Sequence, residues 1–438
     1  MQNIKFIHTA DFHLGSTLNY GGKSPDNLCQ YFDDAIFASF IKMVDFAIDE
    51  EVQLILLSGD LYDRESRSVR ANVFFNEQCQ RLAKHGINVY LIAGNHDPLN
   101  KNRQLFDLPD NVYLFDCNSP EVKEVYLNDE LIAAVSGCSY SKRAESRKMH
   151  QDYQSIPGVW NIALLHTQLE SANNNYVPVN LNGLLEIEDI NYWALGHIHK
   201  NEILYKDINR AVAYPGIPQG RDMGENGVKG FYLVELIPDM APDIKFIPVS
   251  SIIYQQIEIP IDSLKDGNIT DLQNLITDIS QELLNNEFYL DIQGDPGIDG
   301  YVVEWVLIGR GTTYDLLKEQ EDEIIPHLIE QLRQELLDFT PFIWTKSIIN
   351  RSSPLINESE LYNSVIYQDI NKVTDLLKEN ESLRDELLDE LGGIWTNSMD
   401  HEELDYFKFA LDDDRLKSIL ELSRQHIIEE LMQRRDFT

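Results

Sequence analysis

The chain has 438 residues with 73 acidic against 36 basic side chains, a formal charge of −37. It is long enough for two or three domains with sizeable cores. That balance argues against a protein that meets nucleic acid with its whole surface, because phosphate backbones are bound by lysine and arginine. A local site is not excluded, since residues 1–250 hold 21 basic and 33 acidic side chains while residues 251–438 hold 15 and 40. No apolar stretch reaches the roughly 18–20 residues of a membrane helix, and no basic-then-apolar leader opens the chain. The four cysteines, Cys29, Cys79, Cys117 and Cys138, lie far apart without a CxxC pair. The expectation is a soluble, cytoplasmic protein with reduced thiols.

In chain order, an apolar run from Ile4 ends in Asp11-x-His13, where a carboxylate and an imidazole two residues apart can reach one cation. Residues 27–50 place Leu28, Phe32, Ala35, Ile36, Phe40, Met43, Val44 and Ala47 at helical spacing. Leu54–Leu57 reads as a second strand running into Ser58-Gly59-Asp60, Ser68–His85 as a second helix, and Asn88–Ala93 as a third strand ending in Gly94-Asn95-His96-Asp97. This βαβα rhythm predicts an α/β protein with a layered core. Shorter strand-like runs follow at Val112–Phe115, Leu131–Val135, Ile162–Leu165 and Tyr192–Leu195, the last two leading into His166 and Gly196-His197-Ile198-His199. Ala211–Gly216, Gly230–Leu236 and Ile244–Val249 read as strands closing a second sheet, giving a two-sheet sandwich flanked by helices. Lys142, Arg143, Arg147 and Lys148 fit a solvated helix face better than a phosphate contact, whereas Arg64, Arg67 and Arg70, just after Asp60, leave both readings open.

A second unit begins near Tyr254, with strand and helix patterns at Ile257–Pro260, Ile269–Leu284, Phe288–Ile292, Tyr301–Ile308 and Phe342–Lys346. It reads as a small α+β cap over residues 251–350. The 350–354 stretch, Asn-Arg-Ser-Ser-Pro, marks a boundary, and 351–438 is a helical region with runs at Glu358–Leu391 and Glu402–Gln433 separated by Gly392-Gly393.

Five apolar runs thus end in Asp, Asn or His at their C-terminal ends, where ligand sites of α/β sheets gather. Carboxylate, amide and imidazole groups together suit manganese, iron or zinc better than calcium or magnesium alone. Seven or eight such ligands are too many for one ion. Two ions about 3.5–4 Å apart can hold a phosphate and activate a water.

The set Asp11-x-His13, Gly59-Asp60, Gly94-Asn95-His96-Asp97, His166 and Gly196-His197-x-His199 resembles the calcineurin-like metallophosphoesterase superfamily. Within it, the stretch from His8 to Gly15 and the Gly94–Pro98 stretch resemble the SbcD-like DNA-repair nuclease family, and the whole chain looks like the YhaO branch. The resemblance implies two divalent metal ions, Mn2+ first, with Fe2+, Zn2+ or Mg2+ as alternatives. One would be held by Asp11, His13, Asp60 and His199, the other by Asp60, Asn95, His166 and His197, with Asp60 shared. A water activated between them would attack the phosphorus of a DNA phosphodiester in line. By the same resemblance His96 contacts the scissile phosphate and assists proton transfer to the leaving oxygen. Asp97 orients His96 or a ligand, and Asp63 and Arg64 stand behind the ligands or at the phosphate. His8, inside the strand, is read as structural. The implied partners are DNA, an SMC-like ATPase of the SbcC type docked on helices after the cap, and a second copy of the chain.

One departure is visible. Some nucleases of this family carry a histidine three residues after the shared aspartate, where this chain has Asp63, which leaves exonuclease and endonuclease action both open. Gly59-Asp60-Leu-Tyr-Asp63-Arg64 also resembles an element of phosphatases. The alternatives are therefore a phosphatase or a small- or cyclic-nucleotide phosphodiesterase using the same site. A third is a DNA-end-binding scaffold without chemistry, against which the intact ligand set argues.

Overall fold

Strands buried on both faces read as continuous apolar runs, and the first strands of this chain do so. β1 (Ile4–Thr9) is followed by α1 (Asp26–Asp49), β2 (Leu54–Ser58), α2 (Val69–Lys84) and β3 (Asn88–Ile92). β1, β2 and β3 are parallel neighbours, with Ile7 beside Ile55 and Ile55 beside Val89. The computed structural model describes residues 1–23, 26–63, 68–99, 107–170, 175–264, 268–285, 297–355, 365–391 and 413–433. Ser68 caps α2 by accepting the Ala71 N–H, which satisfies one of the donors that a helix start leaves open.

The chain continues through β4 (Val112–Leu114), β5 (Glu121–Leu127), β6 (Glu130–Gly137), β7 (Trp160–His166), α3 (Leu181–Leu185), β8 (Tyr192–Gly196), β9 (Glu202–Lys206), β10 (Ala211–Tyr214), β11 (Gly230–Leu236) and β12 (Asp243–Pro248). Two six-stranded sheets result, ordered β12-β11-β1-β2-β3-β4 and β5-β6-β7-β8-β10-β9. Phe6, Leu56 and Tyr90 of the first sheet meet Ile162, Leu164 and Tyr192 of the second in one buried core. Ile7, Ile55 and Val89, on the opposite face, pack under Phe32, Phe40 and Phe75 of α1 and α2. Ala163, Leu165 and Trp193 on the outer face of the second sheet are covered by Met149, Tyr153 and Leu184.

The sandwich flanked by helices is as expected, with a correction to its strand assignment. Only β10 of the three late strands joins the second sheet. β11 pairs antiparallel with β1, Phe6 opposite Val234, and carries β12 with it onto the first sheet. Tyr232 and Val234 face the same inter-sheet core as Phe6, so hydrophobic alternation is satisfied on either sheet and does not choose between them. Residues 139–148 also form a loop rather than a helix face. Within it the Arg147 guanidinium is engaged by Glu145 and by the carbonyls of Cys117 and Asn118.

Beyond β12 come β13 (Ile252–Pro260), α4 (Ile269–Leu284), β14 (Gly300–Ile308), α5 (Thr312–Glu335, broken at Gln320), β15 (Phe342–Asn350), α6 (Val365–Glu379), α7 (Glu381–Leu391) and α8 (Asp413–Gln433). The expected strand at Phe288–Ile292 and the Gly392-Gly393 break lie outside the described residues. The chain forms two compact units: Met1–Glu258 with Asn274–Val306 and Pro326–Ile349, and Ile259–Gln273 with Leu307–Ile325 and Asn350–Thr438. In the first unit a third sheet, β13-β14-β15, meets α1 through aromatic packing. The Trp344 indole donates to the Tyr20 carbonyl at 2.9 Å, Tyr20 stacks on Phe32 at 4.1 Å, and Arg333 lies 4.1 Å above the Trp344 ring. In the second unit Leu416, Leu420 and Ile428 of α8 are buried, and Lys378 of α6 pairs with Glu421. None of the four cysteines forms a disulfide, and no helix among the described residues is long and apolar enough to cross a membrane.

Candidate metal centre

The clustered side chains stand where strands break. Past β1 the backbone turns left-handed at Asp11 (φ 54°) and His13 (φ 49°), past β2 at Asp60 (φ 51°), and past β8 at His197 (φ 95°). Such a conformation costs a non-glycine residue on the order of 1–3 kcal/mol and persists only where its surroundings fix it. Here they do: Asp11 N donates to Gly59 O at 3.0 Å, His13 N to Asp60 O at 3.0 Å, and Leu14 N to Leu61 O at 2.8 Å. Glycines precede Asp60, Asn95 and His197 because the turns nearly touch. A Cβ on Gly94 would overlap Asp60 Oδ1 and crowd the His166 ring, and one on Gly196 would overlap the Ser58 carbonyl oxygen.

Among the described residues, three groups of ligand-type atoms form, each within 4.8 Å: Asp11, His13 and His199; Asp60, His166 and His197; and His13, Asp63 and His96. Asp11 Oδ2 accepts the His197 N–H at 2.9 Å. Asp11 Oδ1 and both ring nitrogens of His13 are buried without a hydrogen-bond partner. An unsatisfied buried polar atom costs about 1–3 kcal/mol, and a cation relieves Asp11 Oδ1 and one ring nitrogen of His13 together, leaving the other nitrogen to carry the imidazole proton.

The second group makes the same point by crowding. His166 Nδ1 lies 2.9 Å from the Ser58 carbonyl and must donate to it, so Nε2 faces Asn95 Oδ1 at 2.8 Å and Asp60 Oδ2 at 3.4 Å. Asn95 Oδ1 is also 3.0 Å from His197 Nδ1. These acceptors converge on a point that only a proton or a metal can occupy. Burial alone would lower the His166 pKa, but the Asp60 carboxylate overrides it and raises it to about 9. Burial would raise Asp60, and His166 in turn holds it well below the usual carboxylate range. Burial pushes Asp11 up to about 6. Burial also lowers His13 and His197 to about 3, leaving both as neutral imidazoles, the form that binds metals.

His96 is placed differently. Its N–H donates to Asp60 Oδ1 at 2.8 Å, while its side chain is 36% exposed against 2% for Asp60. Its ring meets His13 edge-to-face at 4.9 Å between centroids, and Asp63 Oδ1 lies 3.3 Å from Nδ1. Asp97 sits beneath the loop and accepts the Gly94 and Tyr62 N–H groups at 2.7 and 3.2 Å. Arg64 and Arg67 lie outside the described residues. Arg70 pairs with Asp34 and lies 4.5 Å above the Phe37 ring, on the α1 side. His8 is structural, as expected, bonded at 2.9 Å to the Tyr192 hydroxyl and at 3.0 Å to the Leu195 carbonyl.

Sequence reasoning missed Glu225 and Arg221. Glu225 Oε1 is 2.5 Å from His199 Nδ1, across 26 positions of sequence. Arg221 Nη2 is 3.0 Å from the same oxygen. Neither residue follows an apolar run or belongs to a motif, so nothing local marked them.

The family described as calcineurin-like phosphoesterase matches residues 4–201. The chain is 30% identical over 388 residues to the uncharacterized metallophosphoesterase YhaO of Bacillus subtilis, an alignment covering 86% of this chain and 90% of YhaO. It is 28% identical over 258 residues to the DNA double-strand break repair protein Mre11 of Methanococcus maripaludis, covering 54% of this chain and 64% of that protein. To the Mre11 of Sulfolobus acidocaldarius it is 21% identical over 305 residues, covering 66% and 75%. Likeness to YhaO extends far beyond the five motifs, into the late strands and helices, and on that ground the chain belongs to the calcineurin-like phosphoesterase family.

Proposed function

We propose that this phosphoesterase hydrolyses phosphodiester bonds in DNA with two divalent cations, Mn2+ in the first instance. Asp11, His13, Asp60 and His199 would hold one and Asp60, Asn95, His166 and His197 the other. The observation that carries this reading is the pair of buried ligand groups, one with unpartnered atoms and one with crowded acceptors. When bound, the cations would supply Lewis acidity at the phosphate and a nucleophile from water.

The remaining work falls to the chain's own residues. Asp63 Oδ1 accepts a hydrogen bond from His96 Nδ1–H, which turns Nε2 to the open side, where it can assist proton transfer to the leaving oxygen. Asp97 keeps the Asn95-His96 turn in place through Gly94. DNA is favoured as substrate by the likeness to proteins named for double-strand break repair. The competing reading, a phosphatase or a small- or cyclic-nucleotide phosphodiesterase, draws on the phosphatase-like element Gly59-Asp60-Leu-Tyr-Asp63-Arg64 and on the acidic charge balance. The nuclease reading makes 251–350 a capping domain, 351–438 the seat of an SMC-like ATPase, and the chain a homodimer. A monomer mass by light scattering at micromolar concentration would remove the last point.

The test is cleavage of end-labelled duplex and single-stranded DNA with Mn2+, alongside a phosphomonoester and a cyclic nucleotide. DNA cleavage is expected, and His96→Ala should lower kcat roughly 10²–10⁴-fold with Mn2+ stoichiometry unchanged. Intact DNA with turnover of the small phosphoesters would move the assignment to the competing reading.

Loading should also depend on pH with a definite sign. Metal ligands must lose their protons, and the free protein holds His166 protonated up to about 9 and Asp11 up to about 6. Mn2+ affinity is therefore expected to climb through pH 7–9 as His166 gives up its proton, and to fall further below pH 6 as Asp11 regains one. Calorimetry at pH 7.5 in two buffers of different ionisation enthalpy should register proton release on loading. Affinity that is flat from pH 6 to 9 would count against His166 as a ligand.

A further inference from the structure

We infer that Glu225 is the positioning residue of this centre: its carboxylate fixes the ring plane and tautomer of His199, and Arg221 fixes Glu225. The assignment rests on the two-cation reading above and names a residue outside its ligand set.

His199 needs such a partner. It is 31% exposed at the side chain, whereas His166 is fully buried with Nδ1 bonded to the Ser58 carbonyl. A free imidazole can turn over or carry its proton on either nitrogen. A carboxylate only accepts hydrogen bonds, so the 2.5 Å contact between Glu225 Oε1 and His199 Nδ1 places the proton on Nδ1. That leaves the Nε2 lone pair as the donor available to the group formed with Asp11 and His13.

Glu225 is itself held. Its Oε2 accepts the Arg221 N–H at 2.8 Å, and the Arg221 guanidinium donates to Oε1 at 3.0 Å. Its own N–H donates to the Asp222 carbonyl at 3.1 Å, closing a turn, and the Arg221 carbonyl accepts the Asn19 N–H at 2.7 Å. The carboxylate is only 12% exposed. Carboxylates behind a ligating histidine fix its orientation and raise its basicity, and their loss typically weakens metal binding roughly 10–100-fold.

The experiment is a calorimetric Mn2+ titration of wild type, Glu225→Ala and Glu225→Gln, paired with nitrogen-15 NMR of the histidine rings in metal-free protein. Glu225→Ala should weaken one of two ions roughly 10–100-fold and leave the other unchanged, with the His199 Nδ1–H signal lost or shifted. Glu225→Gln preserves the side-chain volume and should show the same selective loss in milder form. Two unchanged sites would overturn the assignment, and so would equal loss at both, which is what a loop-bracing role predicts. Should wild type bind no Mn2+, the two-cation reading falls. The NMR arm then decides on Glu225 alone, an unmoved His199 Nδ1–H signal in Glu225→Ala overturning it.

Discussion

Replacing Asp60 by Asn is expected to lower turnover on the order of 10³-fold, about 4 kcal/mol of transition-state stabilisation. The substitution keeps the shape and removes the charge. Asp60 Oδ1 accepts the His96 N–H at 2.8 Å while Oδ2 lies 3.4 Å from His166 Nε2. One carboxylate therefore serves the exposed histidine and the buried ligand group together. An Asn amide can satisfy only one of these contacts as an acceptor. It also removes the charge that keeps His166 protonated, so burial should bring that imidazole down from about 9. The measurement is hydrolysis of an activated phosphodiester together with bound Mn2+ per chain. A variant with near-normal turnover and two bound ions would show that Asp60 is not the shared ligand.

Gly196→Ala is expected to be the most damaging single methyl in the first unit. The added Cβ would overlap the Ser58 carbonyl oxygen and lie 3.1 Å from His166 Nδ1. Neither neighbour has room to yield, because that carbonyl already accepts the His166 Nδ1–H at 2.9 Å. Overpacking of this kind costs roughly 1–3 kcal/mol and sometimes more. Gly86→Ala is the control: it has a left-handed φ of 71° and nothing within 4 Å of its Cβ. Its cost should be the backbone strain alone, about 1–2 kcal/mol. Thermal midpoints of the two variants provide the comparison. An equal fall would mean that the ends of β2 and β8 are not in the close contact described.

Much of this fold is legible in the residues. α2 and β11 lie where periodicity puts them because their patterns are long and unambiguous. β5 and β9 were not anticipated, since Glu121–Leu127 and Glu202–Lys206 carry charges on strands that lie at the sheet edge. α5 was also missed. The choice of sheet for β11 depends on which strand edge is open, a property of the assembled sheet. The site divides in the same way. Asp11, His13, Asp60, Asn95, His166, His197 and His199 were visible because each ends an apolar run. The contact of Asp63 with His96 and the bond of Glu225 to His199 form only when separate loops meet.

Among the described residues, the polar bonds that cross between the sheets include five beneath the site. His8 reaches Tyr192 and the Leu195 carbonyl, Ser58 Oγ donates to the Ala194 carbonyl, His166 Nδ1 to the Ser58 carbonyl, and the His197 N–H to Asp11. Hydrogen bonds weaken steeply with misalignment, so they add a directional register to the apolar packing between the layers. The two layers are therefore held in register under the metal centre. A slip of one residue is about 3.3 Å, enough to break each of these bonds and separate Asp11 and Asp60 from the histidines of the other layer.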